Sequence, residues 1–166
     1  MRKVVLGLVV AAMCFGASAE VQAQEYPAGE FFGGFSVYDG GATVYGWQAS
    51  GAANVSENFG IVADFGGQYD DVLGNAHQFL FGPRVRSPRS RLVGFGHALF
   101  GGQKLSASGL NVNGFSMGFG GGVDVNTDSG FGVRIVQFDW IPTRIAGTWF
   151  NDQYRLGFGV TVPLGN

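Results

Sequence analysis

From Glu30 onward the chain repeatedly alternates large apolar side chains with glycine or polar ones, and only an extended strand sorts a period of two onto separate faces. The last segment is the cleanest: Tyr154 to Leu164 sets Leu156, Phe158, Val160, Val162 and Leu164 against Arg155, Gly157, Gly159 and Thr161. The pattern recurs over Glu30 to Tyr38, Thr43 to Ser50, Phe59 to Tyr69, His77 to Ser87, Leu92 to Gly102, Phe115 to Asp124 and Phe131 to Ile141. Charge falls on the glycine-bearing parity, as with Asp64 opposite Ile61, Ala63 and Phe65, or Arg84 and Arg86 opposite Phe79 and Phe81.

No stretch past the amino-terminal segment is apolar for the roughly 20 residues a spanning helix needs, so any membrane residence is as a closed barrel. Composition agrees, with 30 glycines, 16 phenylalanines and 13% charged residues, against about a quarter charged in soluble domains. Eight strands of about ten residues predict an all-β, eight-stranded antiparallel up-and-down transmembrane β-barrel with both termini on the periplasmic side. Short turns are expected at Asn54 to Asn58, Ser87 to Arg91 and Asn126 to Gly130, and longer outer loops at Tyr69 to His77, Gly101 to Gly114 and Ile141 to Tyr154. Asp39 to Ala42 forms an unusually small outer loop.

Two segments break the rule. Pro83 predicts a bulge or a strand end. In the seventh segment Phe131, Val133 and Ile135 share a parity that would put Gln137 and Asp139 in lipid, and a β-bulge near Val136 repairs it. Tyr38, Tyr45, Trp47, Tyr69, Trp140, Trp149 and Tyr154 lie near strand ends, where amphipathic rings form interfacial girdles.

The amino terminus has a different character. Arg2 and Lys3 precede an apolar run from Val4 to Phe15 and a small-residue stretch, the signature of a secretory signal peptide over residues 1–19, with cleavage after Ala19 or Ala23. Residues 20–29 are expected to be a flexible periplasmic lead-in and 30–166 the barrel. Cys14 falls in the apolar run, so the mature chain has no thiol for a disulfide or a metal. Cleavage after Ala19 removes Arg2 and Lys3 and leaves eight basic residues against twelve acidic ones, a charge of −4 that excludes nucleic acid as a partner.

Phe81-Gly82-Pro83-Arg84-Val85, Gly120-Gly121-Gly122-Val123-Asp124 and Arg134-Ile135-Val136-Gln137-Phe138-Asp139-Trp140 resemble a bacterial outer-membrane β-barrel-domain family, the small eight-stranded OmpA-type barrels. The resemblance covers nearly the whole mature chain and implies outer-membrane lipid and lipopolysaccharide as surroundings. The final strand resembles the signal read by the barrel-assembly machinery, met here by Arg155, Gly157, Val160 and Val162, although the chain ends in Pro163-Leu164-Gly165-Asn166 rather than an aromatic residue.

Eight strands enclose an interior that side chains can fill, so a wide solute pore is not expected. The inward residues Asp64, Arg84, Arg86, Asp124 and Arg134 are read as a luminal polar network acting as a plug rather than an ion path. A lipid-modifying barrel enzyme, a lipid A deacylase or acyltransferase, would need histidine with serine and an acid. His77 is followed by Gln78-Phe79 and His97 by Ala98-Leu99, so both are read as interfacial or luminal packing residues. No catalytic, cofactor or metal residue is assigned. A secreted lipocalin-like carrier of an apolar ligand is the other alternative. It would turn Phe31, Phe35, Phe65, Phe81, Phe119 and Phe158 toward the lumen instead of lipid. The resulting expectation is a structural or surface-interaction barrel acting through its outer loops on a ligand the sequence does not name.

Overall fold

The computed structural model describes residues 26–70, 74–107, 110–127 and 130–165; the signal-peptide segment and both cleavage positions lie outside them. Ten strands follow in order: β1 (Gly29–Asp39), β2 (Thr43–Asn54), β3 (Phe59–Asp70), β4 (Gly74–Arg86), β5 (Leu92–Ala107), β6 (Leu110–Asn126), β7 (Gly132–Trp140), β8 (Thr143–Ile145), β9 (Thr148–Phe150) and β10 (Tyr154–Leu164). β1 to β7 and β10 form the wall, each antiparallel to its chain neighbour. β1 pairs with β10 from Gly29↔Leu164 to Asp39↔Tyr154, which closes an eight-stranded up-and-down barrel with no free edge.

The alternation decides which way each side chain points. Phe31, Phe35, Phe65, Phe79, Phe81 and Phe158 are 43–55% exposed on the outside, while Ser36, Gln48, Asp64, Gln78 and Arg155 are at most 3% exposed inside. A soluble carrier needs the reverse, so the lipocalin-like alternative fails. Water does not tolerate an apolar belt that encircles the whole molecule, whereas hydrocarbon does. Inside, Ala52, Val62, Leu80 and Leu99 form a small apolar cluster.

Closing so narrow a barrel coils the strands tightly, and glycine lets their backbones approach. At the β1–β10 seam Gly34 faces Gly159. A Cβ on Gly34 would collide with the Phe158 carbonyl and the Phe32 ring, and one on Gly159 with the Gly33 carbonyl. Gly34→Val is therefore expected to cost about 1–3 kcal/mol, measured as a lower urea midpoint for loss of the compact gel form. Gly51→Val, whose Cβ meets nothing within 4 Å, should leave the midpoint unchanged.

The expected bulge is present. The β6–β7 register slips between Val123↔Val136 and Asp124↔Arg134, and the β10–β7 register slips between Gly157↔Gln137 and Gly159↔Arg134. Ile135 and Val136 consequently both face outward, and Gln137 and Asp139 turn into the lumen. Pro83 causes neither a bulge nor an end. β4 runs on to Arg86, and its ladder to β5 lapses at Gly82 and Pro83, then resumes in the same register. The missing proline N–H removes a bond without shifting the strand.

The loop expectations need correction. Gly101 to Gly114 is largely ladder, paired from Gly101↔Ser116 to Ala107↔Leu110, and β4 stays paired with β5 as far as Asn75↔Ser106, so the wall itself rises about 20 Å past Gly101 on this side. Tyr69 to His77 is likewise mostly strand, since β3 pairs with β4 as far as Asp70↔Gly74. Ile141 to Tyr154 contains the β8–β9 hairpin, turned by Ala146 (φ 48°) and Gly147 (φ 91°) and hydrogen-bonded onto β6. The lead-in is shorter than expected: Gly29 already belongs to β1, and the Pro27 and Ala28 carbonyls accept bonds from the Asn54 side chain and backbone.

Candidate functional site

The lumen holds a continuous column of polar side chains. Near the end bearing the termini, Arg134 on β7 grips Asp124 on β6 with two bonds of 2.7 and 3.0 Å. Its guanidinium lies between the Phe32 and Phe95 rings, 4.2 Å from each centroid. Glu30 on β1 gathers three arginines: Arg84 at 2.7 Å, Arg134 at 3.3 Å and Arg86 at 3.9 Å. Arg84 also donates to Asn54 Oδ1 at 3.2 Å.

At mid-height Arg155 on β10 is fully buried between two carboxylates. It lies 2.8 Å from Asp64 Oδ1 on β3 and donates at 2.8 and 3.1 Å to Asp139 Oδ2 on β7. Asp139 further meets His97 Nε2 at 2.7 Å and accepts from Gln137 Nε2 at 2.8 Å, while Asp64 accepts from Gln48 Nε2 at 2.6 Å. Gln137 also accepts from Arg134 Nη1 at 2.7 Å, which joins the two clusters.

Toward the hairpin end the column becomes neutral. Gln78 donates to Gln103 Oε1 at 3.2 Å, Thr143 donates to the same oxygen at 3.1 Å, and Ser116 bonds Thr143 at 2.9 Å. Tyr38 donates to Gln153 Oε1 at 2.8 Å. Every wall strand contributes to the column. Four arginines face four carboxylates, so it is close to neutral and cross-links the barrel from within.

All five residues read as luminal from the sequence, Asp64, Arg84, Arg86, Asp124 and Arg134, do face the lumen, but they do not form one cluster. Asp64 belongs with Arg155, a residue assigned above to the assembly signal, and Arg84, Arg86 and Arg134 converge on Glu30, which the reading passed over. Arg155 was read on the inner parity, and Glu30 shares the parity of Phe32, Gly34 and Ser36. Asp139 and Gln137 became legible only through the bulge. Of the assembly-signal residues, Val160 and Val162 face outward, and a Cβ on Gly157 would lie 2.5 Å from Gln48 Oε1.

Both histidines, read as interfacial or luminal packing residues, each pack against an aromatic ring and also make a polar contact. They lie on opposite faces of the wall: His97 binds Asp139 in the lumen, whereas His77 is on the outside, 3.5 Å from the Tyr69 hydroxyl. Tyr38 leaves the expected girdle, being 6% exposed and luminal; its parity, shared with Phe32 and Ser36, outranks its residue type. Tyr45, Trp47, Tyr69, Trp140, Trp149 and Tyr154 are exposed.

By sequence, no protein-family model and no curated protein matches the chain. By fold, solved structures match it. The N-terminal β-barrel domain of Pseudomonas aeruginosa OprF superposes with a TM-score of 0.60 at 16% identity, over 81% of this chain and 96% of that one. Neisserial surface protein A, NspA, superposes with a TM-score of 0.62 at 9% identity, over 82% and 96%. At these identities the likeness is one of fold: this chain has the architecture of the small eight-stranded outer-membrane barrels.

Proposed function

We propose that the chain is an integral outer-membrane protein, exported through its cleaved signal peptide, with both termini periplasmic and the hairpin end at the cell surface. It is a structural or surface-interaction protein rather than a porin or an enzyme. One observation carries this reading: the wall is inverted relative to a soluble protein, with an aromatic and aliphatic exterior around a charge-paired interior. A lumen cross-linked by Arg155 and Arg134 is plugged against solutes, so function is displaced to the outer connections and the strand ends that carry them. Before closure the last strand, with Arg155, Gly157, Val160 and Val162, presents itself to the barrel-assembly machinery; closure then draws Arg155 inside.

The test is fractionation of expressing cells followed by gel electrophoresis with and without boiling. The protein is expected in the outer-membrane fraction, with a compact band that converts on boiling to a slower one. Purified protein in a planar bilayer should show no porin-scale conductance, and incubation with lipid A should leave its mass unchanged. A periplasmic protein without a heat shift, a stable wide-pore conductance, or a mass change in lipid A would each overturn this reading.

A further inference from the structure

The outer wall of β2 to β6 carries two adjacent rows of side chains set by the ladder register. The row nearer the hairpin end reads Trp47, Gly67, His77, Lys104, Asn113; the row beneath reads Ala49, Phe65, Phe79, Gly102, Phe115. Between them lies a groove of about 440 Å³. The gap in the lower row is Gly102. A Cβ built there meets only the Gly114 carbonyl oxygen, at 3.6 Å, so a slot one side chain wide opens between Phe79 and Phe115.

Lys104 stands directly above that slot. It is the only lysine beyond the amino-terminal segment, it is exposed, and among the described residues no carboxylate lies within ion-pair distance. A second exposed cation, Arg144 on β8, pairs with Phe115 on the next strand. The rim between Trp47 and His77 is held by the Tyr69 hydroxyl, which accepts from Trp47 Nε1 at 3.1 Å and lies 3.5 Å from His77 Nε2. Its donors and acceptors suit hydroxyls and amides.

We infer that this face is a binding site for a phosphorylated glycolipid of the outer leaflet. Lys104 and Arg144 hold its phosphates, the His77 and Asn113 rim faces its sugars, and one acyl chain lies in the Gly102 slot. Charge complementarity and shape select this occupant. Two cations, Lys104 above the slot and Arg144 beyond Phe115 on the slot's own row, fit a lipid with two separated phosphates better than one with a single phosphate, and the apolar slot beneath Lys104 admits a chain that free phosphate lacks. The inference rests on the orientation proposed above.

Native mass spectrometry of the full-length mature barrel in detergent, titrated with lipid A, phosphatidylglycerol or inorganic phosphate, tests it. Lipid A is expected to bind at one site, at least tenfold tighter than phosphatidylglycerol, with no retention of phosphate. Lys104→Gln should weaken lipid A binding about tenfold. Gly102→Leu, which fills open space, should do the same. The heat shift of each variant is read alongside, so a chain that does not form a membrane barrel is distinguished from a barrel that does not bind. Equal binding of lipid A and phosphatidylglycerol, or unchanged lipid A binding by both folded variants, would overturn the site.

Discussion

Arg155→Leu is expected to lower stability by about 3–5 kcal/mol, because it strands Asp64 and Asp139 in a lumen where, among the described residues, no other cation pairs with Asp64. The measurement is the urea midpoint of the heat-modifiable form. Asp139 keeps His97 and Gln137, and Asp64 keeps Gln48, so the greater loss falls on Asp64. Arg155→Lys should lie between, since an ammonium cannot reproduce the guanidinium fork that spans both carboxylates. Adding Asp64→Asn to Arg155→Leu should recover more than half of the loss, a coupling that identifies the cause as an unpaired charge rather than lost volume. An unchanged midpoint for Arg155→Leu would mean that lumen water solvates the carboxylates, and the plugged-lumen reading would fall with it.

What the sequence disclosed follows from what sets each feature. β10 was legible because apolar and small residues alternate without a break from Leu156 to Leu164, and lipid on one side with a narrow lumen on the other enforces that contrast. The upper ends of β5 and β6 were not, because above Gly102 the outward positions are polar too and the contrast between the faces is lost. Lys104, Ser106, Asn111 and Asn113 can occupy a strand or a loop equally well by parity. The small β8–β9 hairpin is only three residues on each side, too short to show a period at all.

The luminal site divides the same way. Parity reports that Glu30, Asp64, Arg84 and Arg155 point inward, but which cation meets which carboxylate depends on the stagger between strands far apart in sequence. Glu30 and Arg134, 104 residues apart, meet only because β1, β10 and β7 are aligned as they are. Periodicity carries no information about that alignment. Tyr38 shows the opposite lesson: its parity was visible and correct, and assigning it to the girdle by residue type misplaced it.

The bulge in β7 offers the second large effect, because it sets Ile135 and Val136 side by side on the lipid face. Val136→Arg puts a guanidinium in lipid, at about 2–4 kcal/mol near the midplane, and its urea midpoint is expected to fall accordingly. Deleting Val136 restores strict alternation with every other residue in its place: Val133, Ile135, Phe138 and Trp140 stay outside, and Arg134, Gln137 and Asp139 stay inside with their partners Asp124, Glu30 and Arg155. The deletion variant is therefore expected to give the compact band. Val136→Ala keeps the bulge and trims only an outward side chain, so its midpoint should stay within about 1 kcal/mol of the parent. A Val136→Arg variant with the parent's midpoint, or a deletion variant with no compact band, would mean that Val136 does not hold the outward place the bulge assigns to it.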